Sequence, residues 1–90
     1  MKELEIRYVA HITTLTDSVK EWIQTDSTTL RALICELDQR YSGFKEVFIN
    51  PNSGALQMNS MIYYSNEGQP PVAVVDLYHP IQDKAIVTFW

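Results

Sequence analysis

The stretch Thr29–Phe44, TLRALICELDQRYSGF, decides the fold. Leu30, Leu33, Ile34, Leu37 and Tyr41 fall at i, i+3, i+4, i+7 and i+11. On a helical wheel they lie within about 100° of one another, an amphipathic stripe with Arg31, Glu36, Asp38 and Arg40 mostly outside it. The preceding Thr25–Thr29, TDSTT, is a cluster of residues whose side chains cap helix N-termini. Gly43 follows the periodic residues and predicts the C-terminal stop, because glycine alone adopts the left-handed conformation without steric cost.

Outward from this helix the period changes from 3.6 to two. In Leu4–Ile12, LEIRYVAHI, the residues Leu4, Ile6, Tyr8, Ala10 and Ile12 alternate with Glu5, Arg7, Val9 and His11, which predicts a half-buried strand. Thr13–Ser18 reads as a polar break. Val19–Gln24 alternates again and predicts the second strand of a hairpin, with either face open to the core because Trp22 opposes Val19 and Ile23. Beyond the helix, Phe44–Ile49 is a short apolar return, and Asn50–Gly54 is a loop. Ala55–Tyr64 reads as a third strand, Ser65–Pro71 as a loop, Val72–Leu77 as a short fourth strand and Tyr78–Asp83 as a turn. Ala85–Trp90, AIVTFW, is a final strand of strong β-formers.

One helix is too few to cover both faces of a doubly wound sheet, so it packs across one face of a mixed sheet. The first and last strands have the highest apolar content and belong side by side at the centre. The expected fold is α+β, a β-grasp (ubiquitin-like) domain over residues 1–90, with a four- to five-stranded sheet and one main helix on one face.

Composition narrows the function. Ninety residues are too few for two cores. With 46% hydrophobic and 20% charged residues the chain is not of the disordered class. Cys35 is the sole cysteine, so no internal disulfide exists. No apolar run is long enough to span a membrane, and charges at Lys2, Glu3, Glu5 and Arg7 occupy the place of an export signal's apolar core, so a cytoplasmic protein is expected. Seven basic residues, scattered among eleven acidic ones for a net charge of −4, speak against nucleic acid as a partner.

The chemistry-bearing residues are sparse. Cys35 lies about 140° from Leu30 on the helix, off the apolar stripe, with Glu36 and Asp38 rather than a base or a cation as its neighbours in sequence. His11 and His79 have no third ligand at helical or hairpin spacing, so neither a metal nor a cofactor is expected. The aromatic pairs say more. Tyr63 and Tyr64 are adjacent on a strand, so one of them points away from the core. The same holds for Phe89 and Trp90, and for Trp22 and Ile23. An exposed aromatic patch opposite the helix is the kind of surface that anchors a protein interface. Tyr63, Tyr64, Phe89 and Trp90 are therefore the expected partner-binding residues.

The stretch Thr29–Phe44 resembles the helix of the ubiquitin-like sulfur carriers (MoaD/ThiS-like, relatives of the molybdopterin-synthase small subunit), with Tyr41-Ser42-Gly43-Phe44 in place of their Tyr-Pro-Gly-Phe. Ile6-Arg7-Tyr8-Val9-Ala10-His11 is similar to the family's first strand, and Thr14-Leu15-Thr16-Asp17 to its Leu-Thr-Gly turn. The run from Leu77 through Pro80, Asp83 and Lys84 to Phe89 is similar to its Leu-x-x-Pro-Leu-x-Asp-Gly-Asp-x-Val segment. The resemblance implies a β-grasp fold and a protein partner of the activating or synthase type.

Members of that family continue about six residues past the last strand, a reach of roughly 20 Å, to a Gly-Gly end that a partner enzyme converts to a thiocarboxylate. Here the sequence reaches Phe89-Trp90 with no such tail. The expectation is a non-catalytic ubiquitin-like module that docks on a protein partner or on itself. A sulfur carrier trimmed of its tail is the alternative.

Overall fold

Leu4, Ile6 and Tyr8 turn toward one face of their strand and are buried, as the alternation requires. They belong to β1, Lys2–Tyr8, in a computed structural model that describes residues 1–90. The chain continues through α1 (Ile12–Thr16), β2 (Lys20–Thr25), α2 (Leu30–Arg40), α3 (Phe44–Phe48), β3 (Ile62–Ser65), β4 (Val72–Ala73) and β5 (Ile86–Phe89). The sheet runs β2-β1-β5-β3-β4. β1 and β5 are parallel neighbours at its centre, with Ile6 opposite Val87 and Tyr8 opposite Phe89. β1 with β2, β3 with β5 and β3 with β4 are antiparallel. The central pairing of first and last strands is the expected β-grasp order.

The stripe on α2 is buried as predicted: Leu30, Leu33, Ile34 and Leu37 have no exposed surface. Thr29 caps the helix, its side chain accepting the Ala32 N–H at 3.2 Å. Two further free N–H groups of the first turn donate to the loop before β5, Leu30 to the His79 carbonyl at 3.1 Å and Arg31 to that of Leu77 at 2.7 Å. The helix start is thereby tied to the segment that delivers the last strand. Cys35 sits half-buried on the helix flank.

Several boundaries differ from the sequence reading. β1 stops at Tyr8 rather than Ile12, because Ala10 adopts a positive φ of 62° and turns the chain out of the sheet. Ile12 and Thr16 are buried at i and i+4 on the short α1, so Ile12 keeps the alternation by coincidence. In β2 it is Ile23 and Thr25 that face the core, and Trp22 that faces solvent. Phe44–Ile49 is not an extended return: Phe44 and Phe48, four residues apart, are both fully buried on α3. α2 ends at Arg40, and Gly43, at φ 98°, starts α3 instead of stopping α2.

Of the expected third strand only Ile62–Tyr64 is sheet, and β3 runs one residue further, to Ser65. Asn59 and Ser60 favour turns, and Leu56 makes a lone bridge to Ile49. The fourth strand shrinks to Val72–Ala73, beyond which Val74 and Leu77 reach the core from a loop.

At one end of the core Phe89 stands 5.0 Å from Phe48 and 5.1 Å from Phe44, ring centre to ring centre, and packs in parallel against Tyr8. Above this cluster Glu21 of β2 gathers three donors. Its Oε2 accepts Tyr8 OH at 2.7 Å and Tyr41 OH at 2.5 Å, and its Oε1 meets Arg40 at 3.0 Å. Burial and the Glu21 carboxylate push the Tyr8 phenol far above its ordinary range, and Tyr41 is raised by the same causes.

Two outcomes follow. Phe89→Ala empties the centre of the aromatic cluster and lowers stability by about 3–5 kcal/mol in urea titrations. Above about pH 10 the unfolded chain releases the Tyr8 proton while the folded chain retains it, so stability falls as pH rises. Urea midpoints measured from pH 8 to 11, a range bracketing the phenol value, fall less steeply in Tyr8→Phe than in the parent chain.

Candidate functional site

Phe89 and Trp90 divide the last strand between two environments. Phe89 is wholly buried, whereas Trp90 is 46% exposed. The Trp90 N–H still donates to the Met61 carbonyl at 3.0 Å, so its backbone is held on the ladder beside the residue that precedes β3. Tyr63 lies on the same outer side of the sheet, and its ring meets that of Trp90 edge to face at 6.2 Å. Tyr64 points the other way, 3% exposed, with its hydroxyl on Asn66 at 2.7 Å and its ring against His79 at 4.7 Å.

Of the four residues expected to bind a partner, Tyr64 and Phe89 are thus core residues, and only Tyr63 and Trp90 stand together at the surface. The period of two allows no other division: one member of each adjacent pair must face α2 and α3.

Trp90 also borders a groove of about 780 Å³ at the end of the sheet, with Ile12, Val47, Met58 and Met61 among its walls. Met58 is 99% exposed, Met61 43% and Val47 40%. The walls are fixed from behind. Ser60 Oγ donates to the Val47 carbonyl at 2.7 Å, the Gln57 N–H to that of Phe48 at 2.9 Å, and the Gln57 side chain to that of Glu46 at 3.2 Å. On the opposite wall the Val9 N–H donates to the Phe89 carbonyl at 2.9 Å, which places the turn carrying Ala10 and His11. Unbranched methionines on a rigid frame fit irregular apolar surfaces.

Met58, Met61 and Val47 were invisible as site residues in the sequence. They occur where strand and apolar return were expected, and only the folding of 57–61 as a turn brings them beside Trp90.

Apart from Trp22 at the β2 edge and Ile86, the rest of the outer face is mainly polar. Glu5, opposite Trp22 and Ile86, is only 6% exposed and is held by Arg7, with Lys20 at 4.0 Å. Glu3 pairs with Lys84 at 2.8 Å. His11 borders the groove, while His79 lies against Tyr64, so the two are not brought together. No three His, Cys, Asp or Glu side chains are grouped to hold a metal ion. No helix is long and apolar enough to cross a membrane.

No family model matches the sequence, and no curated protein matches it. Solved structures do match over nearly the whole chain. A Pyrococcus furiosus protein described as molybdopterin converting factor, subunit 1, aligns with TM-score 0.69 at 19% identity, covering 99% of this chain and 95% of that one. SAMP1 from Haloferax volcanii aligns with TM-score 0.70 at 13% identity, over 98% and 92%. The Amycolatopsis orientalis BexX/CysO complex contributes a chain with TM-score 0.71 at 15% identity, over 97% and 92%. The chain has the β-grasp, ubiquitin-like fold of these small proteins.

Proposed function

We propose that this chain is a non-catalytic, ubiquitin-like module that binds a protein partner through the surface around Trp90. The carrying observation is the run of exposed apolar side chains Trp90, Met61, Met58 and Val47, with the half-buried Tyr63 against Trp90, on a backbone frame that hydrogen bonds already fix. A large aromatic in a preorganised apolar setting loses little entropy on docking and is the residue type that dominates interface energy. The recognised surface is apolar at its centre, with the polar side chains of His11, Asn50, Gln57 and Asn59 among the other walls of the groove. It therefore suits a partner presenting aliphatic or aromatic side chains inside a polar rim.

Sulfur carriage is the second reading, favoured by the resemblance of Thr29–Phe44 to the sulfur carriers and by the fold shared with the molybdopterin converting factor subunit. It uses the same end of the sheet differently, as the root of a reactive tail. The two readings part on one determination. A reading frame that continues past Trp90 to Gly-Gly, with a thiocarboxylate mass gain after incubation with an activating enzyme of that family and ATP, establishes carriage and ends the module reading.

For the docking module, Trp90→Ala weakens capture of the partner by about 2 kcal/mol or more, roughly thirtyfold in affinity, while the circular dichroism of the chain is unchanged. Retention of the same proteins on immobilised parent and Trp90→Ala chains, at equal strength, refutes it.

A further inference from the structure

We propose that two copies of this chain pair through β2, antiparallel, to continue the sheet across a two-fold axis into ten strands. β2 is an edge strand, with β1 on one side and no strand on the other. The Tyr8 N–H donates to the Val19 carbonyl at 3.0 Å, and the pairing then runs Ile6 with Glu21 and Leu4 with Ile23. In an antiparallel ladder alternate residues turn both main-chain groups toward the neighbour. Glu21, Ile23 and Thr25 therefore face β1, and Lys20, Trp22 and Gln24 direct their N–H and C=O groups outward. The Lys20 carbonyl accepts Ser18 Oγ at 3.1 Å. Both main-chain groups of Trp22 and of Gln24 are left as an open pairing site.

Edge strands of natural proteins are commonly blocked by a central lysine, a proline or a bulge. β2 has none of these at its middle. It carries Trp22 there, 57% exposed. β4, the other edge, is two residues long and follows Pro70 and Pro71, so it is the blocked one.

The side chains select a second copy as the occupant and fix its register. With the two-fold axis at Ile23, Trp22 of each copy lies opposite Gln24 of the other. Those two narrow pairs exchange four main-chain hydrogen bonds. In the same register Lys20 of each copy lies opposite Asp26 of the other, giving two ion pairs on the outer face. Asp26 is free for this role: its side chain is 80% exposed and meets only the Met1 ammonium, at 3.8 Å. With the axis at Trp22 instead, Lys20 meets Gln24 and Glu21 meets Ile23, and the complementarity is lost. With the axis at Glu21, two carboxylates face each other.

Sedimentation equilibrium of the full chain from about 10 μM to about 1 mM, a span suited to weak dimers, is expected to show a monomer–dimer equilibrium. Asp26→Lys sets Lys20 against a lysine in both pairs and weakens the dimer about tenfold. Asp26→Asn, which removes the charge without reversing it, weakens the dimer by less. Gln24→Pro removes an outward N–H without touching the β1 ladder and abolishes the dimer. Amide exchange supplies a separate signature. The Trp22 and Gln24 amides exchange fast in dilute solution and become protected as concentration rises, while Glu21, Ile23 and Thr25 are protected throughout. A chain that stays monomeric over the whole range overturns the proposal. So does a dimer indifferent to Asp26→Lys, which is pairing in another register or through another surface, or one whose Trp22 and Gln24 amides never gain protection.

Discussion

Glu5–Tyr8 and Ile86–Phe89, four residues near each end of the chain, lie side by side in parallel at the centre of the sheet. A parallel pair cannot be closed by a hairpin, so nearly the whole sequence serves as its crossover. Every other element is placed relative to this pair. β2 adds to β1, β3 and β4 add to β5, and α2 covers the face on which Leu4, Ile6, Val87 and Phe89 converge. Because the pair joins residues about eighty positions apart, its closure entropy must be met by burial gained together with it. Phe89 supplies much of that burial, meeting Tyr8, Phe44 and Phe48 when β5 docks.

The same pairing separates two chemistries onto two faces. The inner face is a dry cluster of aliphatic and aromatic side chains, with polar groups admitted only where partners meet them, as Glu21 is met by two phenols and an arginine. The outer face holds its charges in pairs and leaves aromatic side chains at its two margins: Trp22 at the open edge, Tyr63 and Trp90 at the end beside the methionine-lined groove. The open β2 edge and the groove at the strand ends thus offer surfaces of different kinds, one of unpaired backbone and one of side chains.

The long, strongly periodic parts of this architecture are legible in the sequence. The α2 stripe, its Thr29 cap and the central β1–β5 pair come from patterns that local geometry imposes. The short elements are not, for a physical reason. A helix of little more than one turn such as α3 and an alternating strand bury the same i and i+4 residues, so Phe44 and Phe48 fit either. The alternation through Ala10 and Ile12 likewise continues across a change of direction that only the positive φ of Ala10 reveals. The site was half legible. Alternation shows that one of Phe89 and Trp90 faces outward, and the core's need for Phe89 decides which. The methionines of the groove come from a turn that local propensity does not distinguish from a strand.

Phe89 and Trp90 are consecutive, and that adjacency couples recognition to folding. A ligand that grips Trp90 holds down the strand whose preceding side chain closes the core, and it can do so only when that strand is docked. Binding free energy is therefore transmitted into global stability through a single peptide unit. Occupancy at a hundred times the dissociation constant stabilises the fold by about 2.7 kcal/mol. Opening of β5, the motion that breaches the core, is the same motion that would release a ligand held by Trp90. On the docking reading, no independent hinge separates the recognition surface from the interior: the surface that binds is the outer side of the strand that closes the core.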